Sequence, residues 1–394
     1  MKTWDFLEQF SHPTDTPDHL SLSIDAVSLA YLSHQVYSEA ALTGARERYV
    51  SALRSTNKAL QCTKSAATDT TLISSLILDL YEKITNVEPQ GDKSWTSHVN
   101  GALAIVNFRG LSKFQDNSGL KVLGRLSINL LISCVVSGAE VPTDLNIVRA
   151  YCGKFLDVND PKWQLSDLMV SYASVCNQIR KGQFSVEQQI SLTKELDSRH
   201  QAFAFNMPLE WRFQTIYATI SDQERVWGKR IDKYADRHVT QTWNVSRLVR
   251  ILLNESILEY CTTSPHRMML EEMAKRNIKV LAEDICASAP QYLHLRCELV
   301  ARRPTAEVNF QETAHIHTPA ENLDCYILLF PLYVVGQSNY VAPEVKVWII
   351  RQMQHMASHF NIRNAELVAQ ILSRGGEEHP WKIYAMLGSY AFVT

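Results

Sequence analysis

The segment DTTLISSLILDLYEKIT, residues 69 to 85, decides the fold class of this chain. Apolar side chains recur in it at intervals of three and four residues, which places them on one face of an α-helix. The side chains of this face are Leu72, Ile73, Leu76, Ile77, Leu80, Tyr81 and Ile84. So wide an apolar face must be covered by other parts of the chain, because its exposure to water is unfavourable. The segment therefore predicts a helix packed within a helical core.

The same helical spacing returns along the rest of the chain, for example over residues 345–360. One run, ILLFPLYVVG at residues 327–336, is apolar enough to be a buried strand. Its Pro331 and the spacing around it favour a kinked or broken helix instead. The sequence thus predicts an all-α fold: a single large multi-helix domain over residues 25–394, preceded by an N-terminal extension over residues 1–24.

The composition of the chain indicates which partners the protein binds and where in the cell it lies. The 394 residues are 46% hydrophobic and 20% charged, with a formal net charge of -2, so the whole chain has no electrostatic footprint for nucleic acid. No apolar run reaches about 18 residues, so no membrane-spanning helix is expected. The start lacks an apolar signal core, and the eight cysteines are scattered without a C-x-x-C pair. We therefore expect an intracellular protein of the nucleus or cytoplasm that binds neither DNA nor a membrane directly.

The motifs predict neither a metal nor a cofactor. The chain contains no G-x-S-x-G, no G-x-G-x-x-G and no Walker loop. His355 and His359 lie one helical turn apart, as two metal ligands do, and His315 and His317 lie in an irregular region. Because neither pair has an acidic residue placed beside it as an obvious third ligand, no metal site is predicted.

The segment WTSHVNGALAIVNFRG, residues 95–110, predicts a short helix that ends at Gly110, where a left-handed backbone is easily adopted. Trp95 and His98 lie at its start. Two interpretations stay open: Trp95 belongs to the core and His98 is a hydrogen-bonded structural histidine, or both line a ligand pocket. Tyr333, an aromatic residue of the run around Pro331, has the same two interpretations.

The predicted helix over residues 242–260 carries polar residues where a core is expected. Trp243 and Arg247 lie one turn apart, and Glu255 falls on the other, apolar side. A buried carboxylate must be paired or hydrogen-bonded, or else its pKa rises until it is neutral. Glu255 is therefore either half of a structural ion pair with an arginine of a neighbouring helix, or a ligand anchor or general acid. Asp284 presents the same alternative.

Several blocks of the chain resemble the regulatory region of fungal zinc-cluster transcription factors. They lie in order between residues 25 and 372 and read LILDLYEKIT, SWTSHVNGALAIVNFRG, WNVSRLVRILLNESILEY, IKVLAEDICASAPQYL and YILLFPLYVVGQSNYVAPEVKVWIIRQMQHMASHFNIRNAELVAQIL. The resemblance implies an all-helical domain that senses metabolites or mediates contacts with partners. It does not extend to the six-cysteine zinc cluster and basic linker of such factors, because no part of the chain has that pattern. We therefore expect no direct binding of DNA by the means these factors use.

The sequence predicts a stand-alone domain of this transcription-factor type, linked to secondary metabolism, that binds a small apolar metabolite or a partner protein. The expected protein partner is a second copy of the chain or a full-length transcription factor of the same kind. The alternative is a recruited metal-independent enzyme, a cyclase or isomerase of the pericyclase type, that holds an apolar substrate in a reactive shape. The candidate catalytic residues are Glu255, Asp284 and His98. The candidate ligand-binding residues are Trp95, His98, Trp243, Arg247, Glu255 and Tyr333.

Overall fold

The structure is a computed structural model, and it describes residues 5–10, 17–36, 38–85, 95–218, 224–294, 324–375 and 379–387. Most of these residues are helical, and the strands among them form one short two-stranded sheet. The predicted all-α class is confirmed. The chain divides into two compact units, of which the first comprises residues 1–177 with 381–394 and the second residues 178–380.

The first unit is built from helices joined by short connections. In chain order they are α1 (Asp18–Gln35), α2 (Glu39–Leu60), α3 (Thr63–Ala66), α4 (Asp69–Thr85), α5 (Trp95–Arg109), α6 (Asn117–Ser137), α7 (Thr143–Cys152), α8 (Pro161–Arg180) and a last helix, Pro380–Met386. Short 3₁₀ helices lie at Asp5–Phe10 and Leu111–Lys113. The predicted domain boundary between residues 24 and 25 falls within α1, and the division of the chain at that point stays a prediction.

The helix α4 is the centre of the first unit, because it packs against α1, α2, α5 and α6. It covers the predicted residues 69–85, but from residue 71 to 79 it is buried on all sides rather than along one stripe. The reason is that its polar side meets other hydroxyl groups. Ser74 Oγ lies 2.7 Å from Ser23 Oγ of α1 and 3.0 Å from Thr56 Oγ1 of α2. Hydrogen bonds of this kind compensate the loss of water around a buried hydroxyl.

The helix α6 joins the core through both apolar and polar contacts. Within the described ranges it is the one helix long and apolar enough to cross a bilayer by length and composition, and 78% of its 18-residue apolar window is buried in the protein. Asn129 of α6 donates to Asp79 Oδ2 of α4 at 2.8 Å, and Lys83 Nζ donates to the same oxygen at 2.6 Å. This buried carboxylate therefore links the two helices.

The second unit contains most of the remaining helices and the sheet. Its helices are α9 (Val186–Phe205), α10 (Arg237–Tyr260), α11 (Arg267–Ser288), α12 (Pro290–Leu293), Leu329–Gln337, Pro343–His359 and Arg363–Ser373. Short 3₁₀ helices lie at Leu209–Trp211, Trp227–Lys229 and Cys261–Thr263. The strands β1 (Gln214–Tyr217) and β2 (Arg230–Lys233) pair antiparallel, with Gln214 opposite Lys233.

The helix α10 is the core element of the second unit and packs against α9, α11 and Leu329–Gln337. Asp236 caps its start, because its side chain accepts hydrogen bonds from the backbone N–H groups of His238 and Val239 at 2.7 and 2.9 Å. Burial extends along nearly the whole helix, so its polar side chains must find partners inside the protein.

The apolar run at residues 327–336 is a broken helix, as the sequence predicts. Ile327 and Leu328 form a turn, after which the helix resumes at Leu329 with Pro331 in its first turn. Near its end, a Cβ atom on Gly336 would lie 2.9 Å from the Leu372 side chain, so the glycine permits close packing against Arg363–Ser373.

A buried histidine joins α9 to α10. His200 has no exposed surface, and its Nδ1 lies 3.0 Å from Ser246 Oγ. Burial, reinforced by the positive charges of Arg250 and Arg199, lowers the pKa of His200 from 6.5 to about 3. The folded protein therefore holds this imidazole in its neutral form near neutral pH.

We expect the free energy of unfolding to fall as the pH drops from 6.5 toward about 3, because the unfolded chain binds a proton that the folded His200 does not. Between these pH values His200 lowers the free energy of unfolding by at most about 1.4 kcal/mol for each pH unit. Above pH 6.5 it does not make the free energy of unfolding depend on pH. His200→Gln should flatten the dependence, whereas His266→Gln, at an exposed histidine of the same unit, should leave it unchanged. Chemical denaturation at a series of pH values measures both, and an unchanged slope in His200→Gln would contradict a neutral buried imidazole.

Candidate functional site

Two clusters of charged and aromatic side chains include predicted site residues, one cluster in each compact unit. The Glu82 cluster consists of Tyr49, Tyr81, Glu82 and His98. The Arg247 cluster consists of Phe213, Arg230, Asp232, Tyr234, Trp243, Arg247 and Asp284. The predicted residues Glu255 and Tyr333 lie elsewhere in the second unit.

Three helices supply the Glu82 cluster: α2 carries Tyr49, α4 carries Tyr81 and Glu82, and α5 carries His98. The Tyr49 hydroxyl donates to Glu82 Oε1 at 2.5 Å, and His98 Nε2 lies 3.1 Å from the same oxygen and 3.3 Å from the Tyr49 hydroxyl. The rings of Tyr49 and Tyr81 stack with their centroids 4.2 Å apart. One carboxylate oxygen thus joins three helices and fixes the orientation of the imidazole.

The charges of this cluster are set by burial and by its hydrogen bonds. Burial tends to raise the pKa of Glu82, but the hydrogen bonds from His98 and Tyr49 outweigh it, and the pKa lies below its ordinary value. Burial, together with the hydrogen bond to Glu82, raises the pKa of Tyr49 far above its usual range. Glu82 is therefore a carboxylate at neutral pH, and Tyr49 is a neutral donor to it.

Two polar atoms of the cluster keep hydrogen-bonding capacity. Both contacts of His98 are made by Nε2, and Nδ1 has no hydrogen-bond partner among the residues that the structure describes. The second carboxylate oxygen of Glu82, Oε2, is buried and likewise has no partner in that part of the chain. The side chain of His98 is 16% exposed, so its ring stands at the edge of the core rather than within it.

An apolar wall adjoins the Glu82 cluster. It contains the buried residues Ala26, Ala30, Ala45 and Tyr81 and the half-buried residues Val27, Leu29, Tyr49 and Ile84. Tyr49 belongs to both groups and connects the carboxylate to the apolar surface. The predicted ligand residue Trp95 is the first residue of α5, but its side chain lies outside the part of the chain that the structure describes.

The Arg247 cluster surrounds one guanidinium with aromatic rings. The Cζ atom of Arg247 lies 5.2 Å from the ring centres of Phe213 and Trp243 and 5.8 Å from that of Tyr234. Its NH1 donates to the Tyr234 hydroxyl at 2.6 Å and to Asn244 Oδ1 at 3.0 Å. The predicted residues Trp243 and Arg247 are thus brought together, on the side of α10 that faces the hairpin.

Two carboxylates and a second arginine complete this cluster. Arg230 of β2 donates to Asp284 Oδ1 of α11 at 2.7 Å and forms a two-pronged pair with Asp232, at 3.0 and 2.6 Å. Arg247 Nε lies 3.8 Å from Asp284 Oδ2. Asp284 therefore has the structural ion pair that one interpretation of the sequence gave it.

The Arg247 cluster is electrically balanced, with two arginines and two aspartates. Burial tends to lower the pKa of Arg247, but Tyr234 and Asp284 outweigh it and hold the pKa above its ordinary value. Burial raises the pKa of Tyr234 to about 12. Because each charge has a partner inside the cluster, the arrangement is that of a closed network that stabilises the second unit.

The surroundings of Glu255 differ from the ion pair with an arginine that one interpretation of the sequence expected. Burial raises the pKa of Glu255, and the hydrogen bond with Ser338 and the charge of Lys346 offset only part of this effect. The neighbouring groups are a serine and a lysine, not an arginine. Ser338 directly follows the helix Leu329–Gln337, and the sequence pattern alone does not show which residues of that helix lie against α10. Tyr333 of that helix is fully buried.

Sequence reasoning missed the residues that complete both clusters. Glu82 is a polar residue beside the apolar face of α4, and this position was the only feature of the sequence that could have indicated its role. Tyr49 lies on α2 and belongs to no motif. In the second unit Arg230, Asp232 and Tyr234 come from a hairpin whose strands have four residues each, too short for an alternating pattern to be recognised.

The histidine pair on Pro343–His359 does not form a metal centre with its described neighbours. The rings of His355 and His359 stack with centroids 4.8 Å apart. Among the described residues, no group of three or more histidines, cysteines, aspartates or glutamates could hold a metal ion. His315 and His317 lie outside the described residues.

The first part of the chain matches the class of protein that the sequence resembles. Residues 6–137 match the family described as the fungal specific transcription factor domain. All four residues of the Glu82 cluster lie within this segment. The predicted resemblance is therefore confirmed over these residues.

Within that class, the chain is similar to the transcription factor dbaG of Emericella nidulans. The two are 28% identical over 155 residues, which are 38% of this chain and 34% of the relative. The chain thus spans 34% of the length of this curated relative. No solved structure matches the chain.

We expect Arg247→Met to lower the free energy of unfolding by about 3–5 kcal/mol, because Asp284 and the Tyr234 hydroxyl lose a buried partner. Arg267→Met is the matched control, because the Arg267–Glu271 pair of α11 is largely exposed and its loss should have little effect. Thermal and chemical denaturation measure the difference. A stable Arg247→Met protein would show that Arg247 is not a structural residue and would return it to the ligand candidates.

Proposed function

We propose that this chain is a regulatory domain of the fungal transcription-factor type that binds a small apolar metabolite at the Glu82 cluster. The observation that carries the proposal is the free imidazole nitrogen of His98, held at the edge of the core by Glu82. Because the side chain of His98 is 16% exposed and its ring is fixed through Nε2, the unused nitrogen is available to a ligand.

The surroundings of the cluster support an apolar ligand. The partly buried side chains of Val27, Leu29 and Ile84 pack against the same apolar cluster as Tyr49 of the polar cluster. Ligand sites of this composition bind mostly apolar molecules and orient them by a few polar contacts. A compound of secondary metabolism with an apolar skeleton and one polar group suits this surface better than a highly polar central metabolite.

The transcription-factor resemblance supports the rest of the proposal. We place the action of the protein in the nucleus, where a regulatory domain affects transcription through a partner. That partner is a second copy of the chain or a full-length transcription factor of the same kind. Contact with DNA then belongs to the partner, because the chain has a net charge of -2 and no basic stretch.

The second candidate function is an isomerase or cyclase that uses the same site. A carboxylate that orients an imidazole is the arrangement of a general base, and the Glu82–His98 contact of 3.1 Å has this form. Such an enzyme holds an apolar substrate on the wall while His98 moves a proton.

The regulatory proposal is tested by fusing the full chain to a heterologous DNA-binding domain in a reporter strain. We expect reporter output to change when an organic extract of a fungus that encodes this chain is added, because the bound metabolite shifts the domain between two states. His98→Gln should remove the response, and Glu47→Gln, at an exposed glutamate of α2, should retain it.

The same extract distinguishes the enzyme. Incubation with the purified chain, followed by mass spectrometry, shows whether any component is bound unchanged or converted. Conversion that His98→Gln abolishes would favour the isomerase or cyclase. A reporter that ignores the extract, with no component bound or converted, would contradict both functions.

A further inference from the structure

We propose, on the basis of the metabolite-binding function above, that the Glu82 cluster recognises a ligand with an acidic hydroxyl group, a phenol or an enol. In this proposal the hydroxyl donates its proton to Nδ1 of His98, and the carbon skeleton lies on the apolar wall that Val27, Leu29, Tyr49 and Ile84 form.

Hydrogen bonding determines the tautomer of His98. A carboxylate only accepts hydrogen bonds, so the imidazole nitrogen 3.1 Å from Glu82 Oε1 must carry a proton. In the neutral ring the other nitrogen, Nδ1, then has a free lone pair. This nitrogen has no partner among the described residues and therefore offers a ligand an acceptor, not a donor.

The free lone pair of Nδ1 can accept a proton. When a ligand hydroxyl transfers its proton, its O–H bond breaks, an N–H bond forms at Nδ1, and the electron pair stays on the ligand oxygen. The resulting imidazolium lies 3.1 Å from Glu82 Oε1 through Nε2, so it forms an ion pair there. The transfer needs no oxidant, reductant or second substrate.

An anionic bound ligand is stabilised in the cluster by the imidazolium that its own proton creates. Lys83 does not add to this effect, because it is paired with Asp79 at 2.6 Å. An ordinary alcohol gains little from the site, because it gives up its proton far less readily than a phenol, whose pKa is about 10 in tyrosine.

The apolar wall selects the shape of the ligand. Tyr49 is fixed by its hydrogen bond to Glu82 and by stacking on Tyr81, so its ring is a rigid contact surface. A flat aromatic or conjugated ligand makes more contact with such a surface than a flexible chain does. Acidity and flatness occur together in phenols and conjugated enols.

The test uses para-nitrophenol, whose absorbance reports its ionisation, and its methyl ether para-nitroanisole, which lacks the acidic proton. Binding of both to the full chain is measured by calorimetry and by absorbance near neutral pH. We expect the phenol to bind about tenfold or more tightly than the ether and to show the phenolate spectrum when bound.

Two variants assign the effect to the cluster. His98→Gln retains an amide donor for Glu82 but lacks a basic nitrogen, so it should lose the preference and the phenolate spectrum while helicity and thermal midpoint stay near those of the parent. Glu82→Gln should bind the phenol with a smaller ionised fraction, because the imidazolium loses its carboxylate. Glu47→Gln is the matched control and should behave as the parent does.

Three results would overturn the inference: equal binding of phenol and ether, an unchanged spectrum, or unchanged phenol binding by His98→Gln. Tight binding of the cation of para-nitrobenzylamine instead of the phenol would also overturn it and assign Glu82 Oε2 as the ligand contact. If the reporter responds to a metabolite without an acidic hydroxyl, the regulatory function stands and this inference fails.

Discussion

Burial of α4 on all sides is the constraint on which the first unit depends. A helix surrounded by four others cannot leave its polar residues in water, so Ser74 pairs with hydroxyls of α1 and α2, and Asp79 pairs with Lys83 and Asn129. These contacts fix the rotation of α4 about its axis. They therefore also fix the direction of Glu82, one turn after Asp79, which points between α2 and α5 where Tyr49 and His98 meet it.

In the second unit, the buried polar side chains are compensated by ion pairs instead of by hydroxyl groups. The helix α10 is buried along most of its length and carries a guanidinium, Arg247, in its interior face. Aromatic rings shield this cation from water. The charge of the cluster is balanced by Asp284 and by the hairpin residues Arg230 and Asp232, which form ion pairs with one another. Losing one member leaves an uncompensated charge, whereas the complete network is close to neutral. The two-stranded sheet thus contributes charged side chains that compensate the buried arginine of α10.

The sequence predicted the helices, because they depend on the spacing of residues within one segment. It did not predict the side-chain contacts that join residues far apart in the chain. The helix over residues 69–85 and the broken helix around Pro331 follow from spacing within one segment. The side chains that meet His98 could not be predicted, because Tyr49 is 49 positions away and no motif joins the two. Trp243 and Arg247 were recognised since they share one helix face, but the network that satisfies Arg247 comes from another part of the chain.

The chemistry of the Glu82 cluster favours binding over turnover. An isomerase that removes a proton must return one to a different atom, which usually requires a second acid opposite the base. In the cluster itself Tyr49 and Tyr81 are the other proton carriers. Burial raises the pKa of both hydroxyls, and the hydroxyl of Tyr49 is also held by Glu82. A group that tightly bound does not deliver its proton at neutral pH. In the function proposed above, a single fixed base beside an apolar wall takes one proton and keeps the resulting ion pair, a stable end state that an enzyme must avoid.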